Sequence, residues 1–360
     1  MEIVKLKLVN FRNFSKINLK FSKGLNLIVG NNGSGKTNII EAINILALTK
    51  TFRNVYENVL IKHNEQSTTI YGEVKSKIIN KYQIEITKDG KKAKINNNNV
   101  ERLSDYISKI LVVTFSSNDL KLIKDSPSTR RKIINIIISQ LNNDYIKHLN
   151  EYTKLNKQRN SFLKVLYTNK TVSLEYLDIL TSKLIDSGIK VYEERKRIID
   201  LINQKIGDYY RKITNNDQLK INYKSDYSNK TKEQLLKNYQ KNLEKEIILG
   251  KTIFGIHTDD IEFFLDNNNI KDFGSEGQQK NAIISLKLCE IDLIKELKKE
   301  VPILLIDDLY SELDKNKIKN ILNNLDLTMQ IFITVTDLNK VSKNLRQQAN
   351  ILRVRDGEVK

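Results

Sequence analysis

Gly30-Asn31-Asn32-Gly33-Ser34-Gly35-Lys36-Thr37 fits the spacing G-x-x-x-x-G-K-[ST]. Glycines in such a run let the backbone curl so that successive N–H groups point at a β-phosphate; Lys36 would neutralise β/γ charge and the Thr37 hydroxyl would ligate Mg²⁺. A phosphate site of this kind needs a second acid for the metal. Pro302-Ile303-Leu304-Leu305-Ile306-Asp307-Asp308 offers one, an apolar run ending in two carboxylates, as a strand buried on both faces would read. Asp307 is expected to hold Mg²⁺ directly or through water. Asp308 either orients or deprotonates the attacking water, or serves as a helix cap or salt-bridge partner; Asp314, in Ser311-Glu312-Leu313-Asp314, is a metal-side acid or a cap. A third segment, Phe273-Gly274-Ser275-Glu276-Gly277-Gln278-Gln279-Lys280, sets a serine hydroxyl and glycine N–H groups at a helix start. That suits a second anion site, and alone it reads as an ordinary N-cap.

The elements that must position these groups are legible in outline. Apolar or alternating runs at Val4–Leu8, Leu25–Val29, Thr69–Val74, Tyr82–Thr87 and Ile110–Phe115 predict strands, with a turn at Asp89-Gly90. The phosphate loop follows the second of these runs and opens a helix over Thr37–Leu48, whose Ile39, Ile40, Ile43 and Leu46 make an apolar face. From Ser126-Pro127, a good helix start, the pattern turns to long helices near 128–167 and 173–213, joined at Thr168-Asn169-Lys170. Strands return at Ile261–Leu265, Pro302–Ile306, Gln330–Val335 and Ile351–Val354, alternating with helices near 276–299, 315–324 and 338–348. The simplest architecture is an α/β head built from residues 1–120 and 250–360, with mixed sheets and helices, interrupted by a helical lobe at 121–249.

Composition narrows the class. The 360 residues suit about two domains. With 39% hydrophobic and 29% charged residues the chain can fill a core, which excludes wholesale disorder. Cys289 is the single cysteine, so a secreted disulfide scaffold is excluded. No apolar run approaches the length of a membrane span, and a soluble, cytoplasmic protein without a membrane partner is expected. The net charge of +18 favours a polyanionic partner, nucleic acid before an anionic membrane, against a plain lysine bias of composition. Its distribution favours the former: residues 1–120 carry +9, 121–249 carry +11 and 250–360 carry −2. No zinc-ligand spacing exists.

A helical block of this size between two such nucleotide segments resembles the ABC-type P-loop ATPases, in which the signature at Ser275, Gly277 and Gln278 closes over the nucleotide of a second copy. The resemblance extends further, to the RecF family of SMC-like ABC ATPases of bacterial recombinational repair and replication. It is carried by Leu8-Val9-Asn10-Phe11-Arg12-Asn13-Phe14, Gly30–Asn38, Thr51-Phe52-Arg53, Ser126-Pro127 with Arg130-Arg131, His257–Asp260, Ser275–Lys280, Ile306-Asp307-Asp308 with Ser311–Asp314, and Gln330–Thr334. The resemblance implies that Gly30, Asn31, Asn32, Gly33, Ser34, Gly35, Lys36, Thr37 and Asn38 bind ATP, with Arg12 and Asn13 approaching it. Thr336 falls where transporter cassettes carry a histidine, and Asp308 where they carry a glutamate, which argues against a transporter subunit. Two positions depart from the family pattern, Thr258 where an arginine is usual and Asn118 where a glutamate is usual. His257 is either a site residue or a structural one.

The implied activity is an ATP-gated DNA clamp. Two copies close on two ATP molecules, hold single-stranded, gapped or junction DNA, and reopen on slow Mg²⁺-dependent hydrolysis. The family further implies RecO- and RecR-type partners, recombinase loading and SOS induction. Candidate DNA contacts are Lys50, Arg53, Lys91, Lys92, Arg130 and Arg131, with Arg195-Lys196-Arg197 as another basic run; each is otherwise a solvated surface. The alternative readings are a structural DNA-binding protein with a vestigial ATP site and, more remotely, a transporter cassette.

Overall fold

The computed structural model describes the chain except Asn54, Leu120, Lys121, Lys170, Asn215, Asp217, residues 309–327, Asp356 and Lys360. Ser311–Asp314 and the helix expected over 315–324 therefore lie outside the described residues. The chain divides into two compact units.

The first unit comprises residues 1–121, 211–215 and 280–360. Its antiparallel sheet is built from β1 (Glu2–Phe11), β2 (Phe14–Lys20), β4 (Ser67–Lys75), β5 (Ile79–Thr87), β6 (Gly90–Ile95) and β7 (Asn98–Asn99), in the order β2-β1-β4-β5-β6-β7. A second sheet gathers β3 (Leu25–Val29), β8 (Val112–Ser116), β12 (Ile303–Asp307), β13 (Ile331–Val335), β14 (Asn350–Arg355) and β15 (Glu358–Val359), in the order β15-β14-β3-β13-β12-β8. All but its β14/β15 pair are parallel. The central strands β3, β12 and β13 are buried almost throughout, which explains their unbroken apolar sequences.

Helix α1 (Lys36–Leu48) packs against β4 and β5 of one sheet and β8, β12 and β13 of the other. It is buried on every face rather than along the single stripe that its isoleucine spacing suggests, because a sheet covers it on each side. Each of its fully buried Ile and Leu side chains contributes about 1.5–3 kcal/mol of transfer free energy. Gly72 on β4 makes this approach possible, since a Cβ there would sit 2.4 Å from Leu46 Cδ2. The two sheets are also joined by Gln330, whose amide takes Ile3 N–H at 2.7 Å and donates to the carbonyls of Ile3 and Ser22 at 2.9 and 3.0 Å. A short helix, α2 (Leu103–Tyr106), precedes β8, and α10 (Lys343–Gln348) precedes β14. The latter is shorter than the helix expected over 338–348, whose first part is a single 3₁₀ turn at Leu338–Lys340.

The second unit comprises residues 122–210 and 216–279. It holds α3 (Pro127–Leu141), α4 (Asn143–Thr168), α5 (Glu175–Asn203), most of α6 (Ile206–Thr214), α7 (Lys232–Leu249), α8 (Ile270–Phe273) and the sheet β11-β10-β9, with β9 at Leu219–Lys224, β10 at Asp260–Leu265 and β11 at Asn268–Asn269. Helix α9 runs over Glu276–Lys298. The long helix expected near 128–167 is two helices, because the Asn142 side chain accepts the Asp144 N–H at 3.0 Å and starts a new one.

Residues 250–279 group with the inserted unit and not with the head as the sequence suggests. The cause is two buried ion pairs, Arg195 with Asp259 at 2.7 Å and Arg130 with Asp260 at 2.8 Å, together with the buried hydrogen bond from Arg159 to the Thr252 hydroxyl at 2.8 Å. Strand β10 also pairs with β9 along its whole length. Among the described residues no helix is long and apolar enough to cross a membrane, and no three His, Cys, Asp or Glu side chains group as a metal cluster.

Candidate nucleotide site

Strand β3 runs straight into the glycine loop, and α1 leaves it at Lys36. Gly33 and Gly35 have φ of +80° and +114°, a backbone region that disfavours side chains. A Cβ on Gly35 would also lie 2.8 Å from Asn13 Nδ2 and 2.9 Å from Phe14 Cζ. The first amides of a helix lack intrahelical acceptors, so the loop leads into a set of N–H donors at a positive helix end.

Lys36 folds back over the loop, its Nζ donating to the carbonyls of Gly30 and Asn31, each at 2.7 Å. Burial lowers its pKa below the usual lysine value, opposed by the charges of Asp308 and Asp307. The buried Ser34 hydroxyl has no hydrogen-bond partner among the described residues. An orphaned hydroxyl, a desolvated ammonium and donors at a helix start fit a phosphate chain. Lys36, Ser34, Thr37 and the loop amides are the groups that would hold it.

The carboxylates arrive on β12, two strands from β3 with β13 between them. Asp307 ends β12 in a buried position, and Thr334 on β13 donates its hydroxyl to Asp307 Oδ1 at 3.0 Å. The same Thr334 oxygen accepts the Asp308 N–H at 2.8 Å. Burial raises the Asp307 pKa, and hydrogen bonds from Thr37 and Thr334 oppose the rise. Thr37 and Asp307, one from each nucleotide segment, thus meet as a hydroxyl and a carboxylate, the oxygen donor set that suits Mg²⁺. Asp308 is exposed and sits at φ +52°, which turns its carboxylate away from the strand path.

Arg12 and Asn13 form the two-residue turn between β1 and β2, where Phe11 pairs with Phe14. Asn13 Nδ2 donates to Ser34 O at 3.1 Å and its Oδ1 accepts from Asn38 Nδ2 at 2.8 Å, so the turn buttresses the phosphate loop. Arg12 binds Glu41 through Nε and Nη2 at 2.9 and 2.8 Å and the Val59 carbonyl through Nη1 at 3.1 Å. Arg12, Asn13, Asn38, Arg53, His63 and Gln66 are among the residues that line a cavity of about 930 Å³.

Glu41 and Thr334 bind residues of the candidate site, and sequence spacing does not single them out. Glu41 carries a signal nonetheless: a lone carboxylate in the apolar helix α1 must have a cationic partner. Arg53, expected as a DNA contact, instead joins this cluster, 3.7 Å from Glu41 and 3.4 Å from Asn38 Oδ1.

Other expected DNA contacts are also committed elsewhere. Arg130 is 4% exposed, held by Asp260 through two nitrogens, each at 2.8 Å, and by the carbonyls of Ile123 and Asp125. Arg131 donates to the Asp259 carbonyl at 2.6 Å, and Lys91 is drawn to Glu57 and the Thr49 carbonyl. Arg195 is buried against Asp259, while Lys196 and Arg197 pair along their own helix with Asp200 and Glu194. Lys50 and Lys92 remain exposed. His257 is structural: Nε2 donates to the Thr252 carbonyl at 3.0 Å, which leaves Nδ1 to accept from Tyr152 Oη at 2.8 Å, and burial lowers its pKa. Thr258 donates to Asp226 Oδ2 at 2.9 Å and to the Gly255 carbonyl. In the signature, Ser275 Oγ accepts the Gln278 N–H at 3.2 Å and Gln278 Oε1 accepts the Ser275 N–H at 2.8 Å, a reciprocal cap that starts α9. A Cβ on Gly277 would stand 3.9 Å from Ser275 Oγ, an ordinary contact.

A phosphate loop on β3, a paired-acid strand two places away and helix α1 enclosed between two sheets define an ABC-type P-loop ATPase head. The chain belongs to the RecF/RecN/SMC N-terminal domain family, whose sequence model matches residues 2–360. It is 35% identical to the DNA replication and repair protein RecF of Ligilactobacillus salivarius over all of this chain and 97% of that one. It is 36% identical to RecF of an Exiguobacterium species over all of this chain and 99% of that one. A solved structure of the recombination mediator protein RecF with ATP, from the RecFOR pathway, superposes with a TM-score of 0.92 at 30% identity, over 99% of this chain and 96% of that one. An Smc head domain from Pyrococcus furiosus, at 17% identity and a TM-score of 0.52, shares the fold.

Proposed function

We propose that this protein is an ATP-dependent DNA-binding clamp of replication and recombinational repair. The observation that carries the reading is the Thr37–Asp307–Thr334–Asp308 arrangement, which joins two nucleotide segments some 270 residues apart in a chain resembling RecF throughout. Mg²⁺ bound with ATP supplies charge neutralisation on the phosphates. Lys36 would neutralise the same phosphates from the loop, Thr37 and Asp307 would hold the metal, and Asp308 would position the attacking water and take its proton.

Two copies close on each other when both carry ATP, with Ser275, Gly277 and Gln278 of each completing the site of the other. Closure presents basic surface to single-stranded, gapped or junction DNA, and slow hydrolysis reopens the pair. The named relatives support a place in DNA replication and repair, and the RecFOR pathway named for the solved relative supports RecO- and RecR-type partners; recombinase loading and SOS induction complete the proposal. Sedimentation with ATP, with ADP and without nucleotide tests the reading. A dimer is expected with ATP alone, absent in Lys36→Met and prolonged in Asp308→Asn; a monomer under all conditions overturns it.

A further inference from the structure

The end of the head opposite the nucleotide carries a surface that the reading above does not use. The glycine loop, Asp307 and Ser116 sit at the C-terminal ends of β3, β12 and β8. At the other end, a strand of five residues or about 17 Å away, several chain segments converge. The β4–β5 hairpin closes with Lys75 opposite Ile79 and turns through Ser76, Lys77 and Ile78. Ser76 Oγ donates to Glu300 Oε1 at 2.7 Å, which ties the turn to the segment after α9. The Met1 amino group donates to the Val301 carbonyl and the Ile303 N–H to the Leu111 carbonyl, bringing residues 109–111 beside the same segment.

These ties assemble three exposed aliphatic side chains: Ile78 at 68%, Ile79 at 53% and Leu297 at 42%. Five lysines accompany them, Lys75, Lys77, Lys109, Lys298 and Lys299. None of the five makes an ion pair with a described carboxylate. Burial lowers the pKa of Lys298, and the charge of nearby Lys109 adds to that lowering. Elsewhere on this head lysines do find acids, as Lys5 does with Glu73 and Lys91 with Glu57, while Glu2, opposite Lys75, pairs with Lys23.

Exposed aliphatic side chains among five lysines that outnumber the neighbouring acids Glu2 and Glu300 have the composition of a docking surface whose partner supplies both hydrophobic anchors and carboxylates. We propose that this face binds an acidic protein segment bearing aliphatic or aromatic side chains. Phosphate binding needs no aliphatic anchor, and a wedge into stacked bases or a bilayer needs a projecting finger, whereas this turn is fastened at Ser76 to Glu300. The distance from the glycine loop lets such a partner bind with ATP in place.

The test uses the full chain and a labelled peptide of about twelve residues alternating Glu and Leu. Its controls alternate Lys with Leu and Glu with Ser; phosphatidylserine vesicles and duplex DNA are run in parallel. Binding of the Glu/Leu peptide is expected, at least about tenfold tighter than either control. The double variants I78S/I79S and K75E/K77E should each weaken it by about tenfold while leaving ATP affinity unchanged, a check that they fold. Equal binding of the three peptides, undiminished binding by both variants, or variant-sensitive binding of vesicles or DNA in place of the peptide would overturn the proposal. ATP-dependent dimerisation in the same variants is expected to be unchanged, so failure here leaves the clamp reading to its own test.

Discussion

Glu41 grips Arg12 through both carboxylate oxygens, at 2.9 and 2.8 Å, from a position with no solvent exposure inside α1. The pair fixes the β1–β2 turn against the phosphate loop, with Arg53 3.7 Å from the same carboxylate and the Thr51 hydroxyl donating to it. Glu41→Ala would leave Arg12 without its partner, and loss of one member of a buried pair costs about 3–5 kcal/mol. Denaturant titration should register that loss, and a fluorescent ATP analogue should bind more weakly. Glu41→Gln, which keeps the shape, should recover part of both.

Thr334 serves both acids of β12 with one hydroxyl. Thr334→Val keeps the volume but leaves the Asp308 N–H and an Asp307 oxygen without that partner, at about 1–3 kcal/mol. Misplacement of the acid pair should lower the hydrolysis rate by on the order of tenfold to a hundredfold. ATP affinity should change little, which single-turnover and equilibrium binding measurements can separate.

Asp307 makes stability and activity pull in opposite directions. Its folded pKa lies above the ordinary 3.8, so the unfolded chain releases this proton at lower pH than the folded one. The folded state therefore loses stability as pH rises from about 3.8 through the folded value, and the loss persists at neutral pH. Asp307→Asn should melt at a higher temperature than the parent at pH 7, with the gap closing below about pH 4, and should not hydrolyse ATP. A variant that melts lower at pH 7 would contradict the sign.

Salt dependence of DNA binding distinguishes the basic residues. Lys50→Ala and Lys92→Ala, which alter exposed side chains, should each reduce the salt slope by about one. Arg130→Ala should leave the slope unchanged and instead destabilise the inserted unit by about 3 kcal/mol or more, because Asp260 loses its partner.

The nucleotide site was legible because its chemistry demands fixed spacing. The glycines, Lys36 and Thr37 sit within eight residues, and the apolar run into Asp307 and Asp308 announces a strand buried on both faces. Strands such as β2 and β6 escaped notice because Ser15, Lys16 and Asn18, or Lys91, Lys92 and Lys94, interleave with their few apolar residues. Helix α7 and strand β9 escaped for the same reason, and their partners lie far away in sequence. Basic clusters misled most: Arg130 and Arg195 look like surface charge until Asp260 and Asp259, 130 and 64 residues on, are brought against them. The buried arginines serve the packing of the insert, and a count of charges cannot separate them from the exposed ones.

The position of β3 in its sheet has a consequence for synthesis of the chain. Its two neighbours, β13 and β14, leave the ribosome about 300 residues after the glycine loop. At ~5–20 residues per second, that loop waits roughly 15–60 s for the strands that hold it. During that interval β4 and β5 can cover one side of α1, while β3 waits for β13 and β14. A chain interrupted before Gln330 carries the whole phosphate motif and yet lacks the sheet that shapes it. The phosphate loop therefore takes its shape only once Ile331–Val335 and Asn350–Arg355 have joined β3.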